Sequence, residues 1–255
     1  MNKKLLYVGG GLLVVAAGVY FGLAFFLGHV VQAGVNSFGP KLTKTKVELA
    51  GARISPFTGT GTLTGLFVGN PEGWNADRAF YLGKIHVDVE PFSVLGDHVV
   101  INEVSIDQPE FVYETKLVSS NIKDLLKNIE EFTGGGTKTA DTPTTKSGKP
   151  IKFVVKKFRI TNAKATLGVG PAAIPLPLPP INLDNLGVAE GGITPDQVAG
   201  AVMKQVLANI VTASAQALTK VGGTAGATAV ESAKDAAKKA GDGLKKLFGG
   251  DKPKP

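Results

Sequence analysis

Residues 99–106, with the sequence VVINEVSI, indicate a β-rich fold, because β-branched residues dominate a short run between turn signals. This run aligns without gaps on residues 153–160, FVVKKFRI. In both copies two polar residues follow an apolar triplet, and the apolar positions change parity across them. One extra residue in a strand turns the following side chains to the opposite face, so we expect a β-bulge in each copy.

The match continues more weakly beyond the two octapeptides and indicates an internal repeat. Phe111 and Tyr113 fall opposite Ala165 and Leu167 in the extended alignment. We therefore predict a repeated β-unit, with one copy on each side of the segment that separates them. A chance likeness between two β-rich octapeptides is the alternative interpretation.

Short strands are predicted over the whole of residues 47–118. Ile85, Val87 and Val89 alternate with polar residues, which is the period of a strand with one buried face. Turn signals separate the runs at residues 55–56, 59–61, 69–71, 96–97 and 108–109. This spacing favours an antiparallel meander over βαβ units.

Two amphipathic helices are predicted beside the strands. In residues 121–132 the apolar side chains fall on one face, and Ser120 or Asn121 is the expected N-cap. Residues 195–219 carry a second apolar stripe, with Thr194 as the expected N-cap. Each helix therefore has one apolar face that can pack on the sheet.

Three other segments have compositions that exclude a central strand. Residues 133–150 are rich in Gly, Thr and Lys, so we expect a flexible linker. Residues 174–180, IPLPLPP, are expected to form an edge strand or an extended crossing, because proline lacks the ladder donor. We expect residues 221–255 to form a basic helical or frayed tail. Its amphipathic turn is a candidate membrane-surface site, with a solvated tail as the alternative: Leu244, Lys245, Lys246, Leu247 and Phe248.

The N-terminus contains an uncharged apolar stretch of 23 residues, from residue 5 to residue 27, after two lysines. As a helix it would be about 35 Å long, against about 30 Å for the hydrocarbon core of a bilayer. We expect a retained transmembrane helix, with cleavage after Ala33 as the alternative. A short tail ahead of a long chain favours a cytoplasmic N-terminus. Gly18 and Gly22 form a G-x-x-x-G, which is a candidate helix-packing face.

The composition of the chain narrows the function classes. Its 255 residues are 43% hydrophobic, which is enough apolar mass for a core and excludes wholesale disorder. The absence of Cys excludes disulfides, thiol catalysis and Cys-ligated zinc. The net charge of +7 comes from lysines concentrated at the two ends and in the linker, without an aromatic-interleaved patch. Nucleic acid is therefore not an expected partner.

No constellation typical of an enzyme occurs in the sequence. The three histidines, His29, His86 and His98, lack the spacing of a helical metal site. No G-x-S-x-G is present, and residues 59–65, GTGTLTG, have the wrong spacing for a dinucleotide loop. The carboxylates are scattered through the strands, so no acid–base pair can be nominated. We therefore predict a protein that is not an enzyme, with no metal site and no cofactor.

A set of phrases in a fixed order carries a family resemblance. An apolar N-terminal helix is followed by residues 65–74 (GLFVGNPEGW), 82–87 (LGKIHV), 94–101 (VLGDHVVI) and 104–110 (VSIDQPE), and then by the helix from residue 121. Together these phrases resemble the N-terminal module of the AsmA superfamily of bacterial envelope proteins. Residues 181–187 (INLDNLG) and 191–194 (GGIT) are similar to the closing segment of short AsmA-like proteins. The resemblance covers residues 1–215.

The resemblance implies a fold, a location and a mode of action. The implied fold is α+β and mainly β, with an N-terminal transmembrane helix, a curved antiparallel sheet (an AsmA-like β-groove module) and two packing helices. The implied location is the inner membrane, with the bulk of the chain in the periplasm. Larger members are thought to form grooves that shield the acyl chains of lipids. No catalytic residues carry over, because the family motif is structural.

On this basis we divide the chain into five segments. They are a transmembrane anchor (1–33), the first half of the β-module with the helix 121–132 (34–132), the linker (133–150), the second half with the helix 195–219 (151–220) and the tail (221–255).

The leading hypothesis is a membrane protein of envelope maintenance that holds a lipid or another apolar ligand against one face of the sheet. The candidate groove residues form the apolar side of the strands: Ile85, Val87, Val89, Val104, Ile106, Phe153 and Val155. An ordinary core under the helices is the other interpretation of the same residues. The second hypothesis is a scaffold that binds another envelope protein through an exposed sheet edge.

Overall fold

A computed structural model gives the structure of residues 3–116, 119–134, 143–144 and 148–222. Two short 3-10 helices, Pro91–Leu95 and Gly170–Ala172, accompany three α-helices and nine strands in this part of the chain. The elements are α1 (Lys3–Thr43), β1 (Val47–Ile54), β2 (Thr60–Gly69), β3 (Arg78–Val89), β4 (Val99–Asp107), β5 (Glu110–Tyr113), α2 (Asn121–Gly134), β6 (Phe153–Thr161), β7 (Lys164–Leu167), β8 (Ile174–Pro177), β9 (Ile181–Leu186) and α3 (Pro195–Gly222).

The strands belong to one open, curved sheet that is mostly antiparallel. The nine strands occupy six rows across the sheet, because three rows each contain two strands that follow one another along the chain. These rows are β4 with β5, β6 with β7, and β8 with β9. The pairing register does not change where one strand of a row ends and the next begins. For example, β3 pairs Ile85 with Ile106 of β4 and Phe80 with Phe111 of β5. At about 4.8 Å between neighbouring strands, six rows span about 24 Å. The predicted combination of a curved, mostly antiparallel sheet with an apolar N-terminal helix is confirmed, but the fold is mixed α/β and not mainly β.

The two copies of the sequence repeat lie side by side in the sheet. β4 pairs with β6 in parallel, with Val99 opposite Phe153 and Ile106 opposite Ile160. β5 pairs with β7 in parallel, with Phe111 opposite its alignment partner in the second copy. The pairing register of these strands is therefore the same as the gap-free alignment of the two sequences.

The antiparallel meander predicted for residues 47–118 is present, because β1 to β4 pair in chain order and antiparallel. The parallel pairs with β6 and β7 correct the wider expectation of a purely antiparallel sheet. A parallel neighbour requires a connection of about a dozen residues or more that returns the chain to the same end of the sheet. The chain makes this return between β5 and β6, through α2 and the residues after it. The turn signals locate the strand ends, but they carry no information about such a return.

β4 contains the predicted bulge. Asp88 of β3 pairs with Glu103, whereas the next residue, Val89, pairs with Ile101, so Asn102 is the extra residue. In β6 two consecutive lysines are exposed between buried apolar residues, which is the same change of parity. The bulge is thus confirmed in the first copy, and the second copy shows its effect on burial.

A line of irregular residues crosses the sheet from one edge to the other, and we call it the crease. Gly65, Gln108 and Asn162 adopt left-handed backbone conformations there, with φ of 65°, 54° and 52°. In β3 the buried Leu82 and Ile85 lie three positions apart across this line, so the alternation shifts and both face the core. The crease residues lie level in successive rows: Ala50, Gly65, Gly83, Gln108, Asn162 and Pro179.

α2 and α3 complete one core on the apolar face of the sheet. Ile122 and Leu125 of α2, and Val206 and Ile210 of α3, are at most 1% exposed and pack with strand residues such as Ile160. Both predicted helices are present. They extend to residues 134 and 222, slightly beyond the predicted ends.

Both helices begin directly after the residues predicted as their N-caps. The Ser120 hydroxyl accepts a hydrogen bond from the Lys123 N–H at 3.2 Å, so Ser120 is the N-cap of α2. At α3 the Thr194 N–H donates to Gln197 Oε1 at 2.9 Å. Thr194 is thus the N-cap residue, and its backbone is satisfied by the side chain three residues on, as in a capping box.

The proline-rich strand β8 lies at an edge of the sheet, as its prolines predict. Within the predicted linker, Thr144 forms an isolated bridge with Pro150. Residues 135–142 and 145–147 of that linker, and residues 223–255 of the tail, lie outside the described residues.

α1 is longer than the predicted anchor, because it continues to Thr43 and packs on the sheet. The segment Gly11–Thr43 is long and apolar enough to cross a membrane, and it fits a membrane span or a signal sequence. Its large aliphatic and Phe side chains between residues 12 and 26 are exposed, Phe25 to 79%, whereas Tyr20 is half-buried. The segment Pro195–Ala217 of α3 passes the same test of length and composition, but this helix contributes to the core.

Candidate functional site

The second half of α1 packs along the edge strand β1. Asn36 Oδ1 accepts a hydrogen bond from the Leu49 N–H at 2.6 Å, and Gln32 Nε2 donates to the carbonyls of Leu49 and Ala50 at 3.1 and 2.9 Å. These bonds satisfy backbone groups that an edge strand leaves unpaired. Gly28 lies so close to β1 that a Cβ there would overlap a carbonyl oxygen of the strand. This contact fixes how closely α1 approaches the sheet.

The face of the sheet opposite the core is polar where α1 passes it. Arg53, Thr62, His86 and Ser105 are cross-strand partners in four successive rows. Because cross-strand partners share a face, these four side chains form one polar line across β1 to β4. The His86 Nδ1 atom lies 3.5 Å from the Thr62 hydroxyl oxygen.

A cleft of about 1150 Å³ lies between this polar line and α1. α1 contributes an apolar wall that includes the rings of Tyr20, Phe21 and Phe25. The sheet contributes the four residues of the polar line together with Asp88 and Glu103. The cleft is therefore amphipathic, and it is at least as large as ordinary ligand sites of about 300–1,000 Å³.

The sheet wall of the cleft carries charges of both signs. Arg53 is exposed, whereas Asp88 and Glu103 are half-buried and lie directly opposite each other. Two like charges in opposed positions destabilise a sheet, so this pair is not explained by strand pairing. Among the described residues none of these three side chains takes part in an ion pair. All three are therefore available to a charged ligand.

Five of the seven candidate groove residues belong to the core or pack against it: Ile85, Val87, Val104, Ile106 and Val155. Ile85, Ile106 and Val155 are at most 6% exposed and belong to the core that α2 and α3 complete. The structure thus brings these three together on one face, under the helices. Val87 also borders the cleft. The remaining four candidates are half-buried: Val87, Val89, Val104 and Phe153.

The other candidate sites are placed as follows. A Cβ at Gly18 or Gly22 would meet nothing within 4 Å, so this face of α1 is open to a second helix and the packing role stays a prediction. His29 lines the cleft on α1. Within the described part of the chain, no group of three or more His, Cys, Asp or Glu could hold a metal ion. The tail site at residues 244–248 lies outside the described residues.

A buried polar cluster that the sequence analysis missed lies at the opposite end of the sheet. Glu114 is 4% exposed, and it accepts hydrogen bonds from Asn70 Nδ2 at 3.0 Å, from the Ala76 N–H at 2.8 Å and from two groups of Asn75 at 3.0 and 3.1 Å. Asn121 accepts from the Glu114 N–H at 3.0 Å and donates to Asn70 Oδ1 at 2.8 Å. The cluster therefore connects the β2–β3 loop to the start of α2.

These hydrogen bonds also set the charge state of the Glu114 carboxyl. Burial would raise its pKa, but the backbone N–H groups of Ala76 and Asn75 and the amide side chains of Asn75 and Asn70 lower the pKa below its ordinary value. A carboxylate whose oxygens are occupied by donors from its own chain has a structural role. The same loop is held by Trp74, which donates to Asp124 Oδ2 at 3.0 Å.

Comparisons with known proteins do not place the chain in a family. No family model matches the sequence, and no curated protein matches it. The resemblance to AsmA-like proteins therefore stays a prediction from the sequence.

Proposed function

We propose that this protein is a membrane-anchored protein of the bacterial envelope that holds a lipid in the cleft between α1 and the sheet. In this proposal α1 stays in the inner membrane as a single span, and the sheet lies in the periplasm. The protein serves envelope maintenance, in line with the AsmA resemblance. It acts by sheltering part of the lipid and catalyses no reaction.

The amphipathic cleft is the observation that supports this function. Its apolar wall belongs to the same helix whose exposed side chains fit the interior of a bilayer. An acyl chain that follows Phe21 and Phe25 out of the bilayer would therefore stay in contact with apolar surface, which avoids the cost of exposing it to water.

The opposite wall fits the polar part of a phospholipid. The Arg53 guanidinium is suited to a phosphate, because its planar donors match phosphate oxygens. Asp88 and Glu103 are suited to an ammonium group, which would also relieve the repulsion between the two carboxylates. A zwitterionic phospholipid carries both groups, so we take it as the ligand class.

This proposal moves the ligand to the face opposite the one first expected. The apolar side of the strands is packed against α2 and α3, and it leaves the candidates Ile85, Ile106 and Val155 buried. An apolar ligand there would have to displace these helices. The cleft requires no such change.

Lipid analysis of a cleft-filling variant tests the function. Ser105 lines the cleft, so Ser105→Trp places a large ring in it. We expect the full chain purified in mild detergent to carry phospholipid by mass spectrometry, and the S105W variant to carry several-fold less. Lipid bound around α1 is the same in both proteins, so the difference reports the cleft.

Thr166→Trp is the matched control. Thr166 lies in β7 beyond the crease, alternates with the core residue Ala165 and does not line the cleft. We expect T166W to carry as much lipid as the unmodified chain. Equal lipid in S105W and T166W would remove the cleft from the account.

A scaffold that binds a protein partner through a sheet edge is the second candidate. α1 covers β1, and β8 carries Pro175 and Pro177, which lack N–H donors. β9 pairs with β6 alone in the described sheet, so its outer edge is where a partner strand could add. A photo-crosslinker at Asn182 of β9 should then capture one defined envelope protein that a crosslinker at Thr166 does not capture.

A further inference from the structure

The end of the sheet beside the cleft exposes four large apolar side chains, and we call this surface the apolar end. Phe57 is in the β1–β2 loop and is 70% exposed. Phe92, Val94 and Leu95 are in the 3-10 helix Pro91–Leu95 and are 83%, 57% and 84% exposed. A folded domain normally keeps such a group of large side chains away from water, so the surface points to a partner.

The two loops of the apolar end form one surface. The Val89 N–H donates to the Gly59 carbonyl at 3.1 Å, which joins the β1–β2 loop to the end of β3 just before the 3-10 helix. Gly59 has φ of 73°, and a Cβ there would overlap the Val89 carbonyl oxygen, so the two loops approach as closely as the backbone allows. The four side chains therefore belong to a single end of the sheet.

The 3-10 helix is built to present its apolar side chains outward. Its polar residue, Ser93, turns back to the protein, where the hydroxyl donates to the Glu90 carbonyl at 2.6 Å and accepts from the Val100 N–H at 2.9 Å. These two bonds fix the turn against β4. Phe92, Val94 and Leu95 are left on the outside of an ordered turn.

The apolar end is continuous with the exposed part of α1. The Tyr20 and Phe57 rings are stacked, with centroids 5.6 Å apart and planes at 14°. Before Tyr20, the helix exposes apolar side chains such as Val14, at 73%. A bilayer that surrounds this part of α1 therefore reaches the level of Phe57.

We propose that the apolar end inserts into the surface of the bilayer that α1 enters, so that the sheet stands with these two loops in the membrane. This inference rests on the proposed anchoring role of α1. Moving the apolar side chains of these loops from water into a bilayer is favourable for the same reason as it is for α1. Because the loops lie beside a membrane helix, a bilayer is the partner that we infer for them. The insertion would place the mouth of the cleft at the membrane surface.

Spin labels at single cysteines test the insertion in the full chain reconstituted in phospholipid vesicles. The chain contains no Cys, so Val14→Cys, Leu95→Cys and Val169→Cys each give one labelled site. Val169 is a matched control, because it is 42% exposed beside the β7–β8 connection at the opposite end of the rows. We expect the labels at 14 and 95 to collide with lipid-dissolved oxygen more often than the label at 169 does. Their collisions with a water-soluble nickel chelate should be several-fold fewer than those of the label at 169.

The three labels separate the possible failures. A label at 95 that behaves like the label at 169, while the label at 14 is in lipid, would overturn the insertion and leave the anchor intact. A label at 14 in water would overturn the anchor and the insertion together. Lipid contact at 169 as well as at 95 would also overturn the proposal, because the sheet would then lie flat on the membrane.

Discussion

At the scale of single residues, Glu114 is the most completely defined site in the molecule. Its carboxylate meets four donors, and its partners Asn70 and Asn75 lie 44 and 39 positions away in the chain. In the sequence, Glu114 looks like any other carboxylate near a strand. Hydrophobic periodicity relates residues that are close in the chain, so it cannot identify partners that are distant in the chain. This is why a site that fixes the β2–β3 loop could not be predicted.

Replacing this carboxylate should lower stability at neutral pH. We expect Glu114→Gln to cost about 2 kcal/mol, because its NH2 group replaces one carboxylate oxygen and directs N–H groups at the two donors bound there, either those of Asn75 or those of Ala76 and Asn70. For a domain of this size the cost corresponds to a fall of about 5 °C in the thermal unfolding midpoint. Circular dichroism of the full chain in mild detergent measures it.

The same substitution should remove part of the acid sensitivity. Because the folded pKa of Glu114 is lowered, its contribution is complete above the ordinary Glu pKa of about 4.3 and is lost as pH falls through the folded pKa. The unfolding midpoint of E114Q should therefore fall less than that of the unmodified chain between pH 6 and pH 3. Glu110→Gln is the control, because Glu110 is an exposed partner of Arg78. Equal behaviour of the two variants would contradict this assignment.

At the scale of elements, the sequence predicts features that depend on residues close together in the chain. It does not predict features that depend on contacts between distant residues. The helices α2 and α3 follow from their periodicity, and the bulge at Asn102 follows from the change of parity in the repeat. The turn signal at residues 108–109 falls at the break between β4 and β5, where Gln108 is left-handed, but the chain does not reverse there, because β5 pairs with β3 in the same register as β4. The local signal for a turn and for a break in a strand is the same.

The crease between the two repeat copies is held by Asp107. This carboxylate accepts hydrogen bonds from Thr161 Oγ1 at 2.9 Å and from Asn162 Nδ2 at 2.7 Å, and these bonds lower its pKa. Asn also tolerates the left-handed conformation better than most residues. We expect Asn162→Ala to raise the Asp107 pKa toward its ordinary value and to lower the unfolding midpoint.

Carboxyl chemical shifts measured against pH report this change directly. Asn182→Ala is the control, because Asn182 is exposed in the adjoining strand β9 and has no bond to Asp107. An Asp107 pKa that is unchanged in N162A would show that the crease does not depend on this pair.

The attachment of α1 to β1 is another feature that could not be predicted from the sequence. The apolar run ends near residue 27, but the helix continues because Gln32 and Asn36 bond the edge strand. We expect Asn36→Ala to speed hydrogen exchange at the Leu49 amide by roughly tenfold, the equivalent of about 1.4 kcal/mol for one buried hydrogen bond. Ser37→Ala, on an exposed position of the same turn, should leave this rate unchanged. No change in N36A would contradict the contact.

At the scale of the whole molecule, the sheet is narrow compared with a membrane. Six rows span about 24 Å across the strands, which is less than the hydrocarbon core of a single bilayer at about 30 Å. Its apolar face is filled by α2 and α3, and its polar face meets α1 in the cleft. The sequence predicts the apolar helix and the strands, but the cleft arises only when the helix passes the polar face. Patterns within either element alone could not reveal it.

Site-specific photo-crosslinking in living cells tests the central claim most directly. A benzoylphenylalanine at Thr62, which lines the cleft, should form an adduct with a phospholipid, whereas the same residue at Thr166 should not. Mass spectrometry of the purified chain identifies the adduct. A protein adduct, or no adduct, at Thr62 would contradict the account that the cleft holds a lipid.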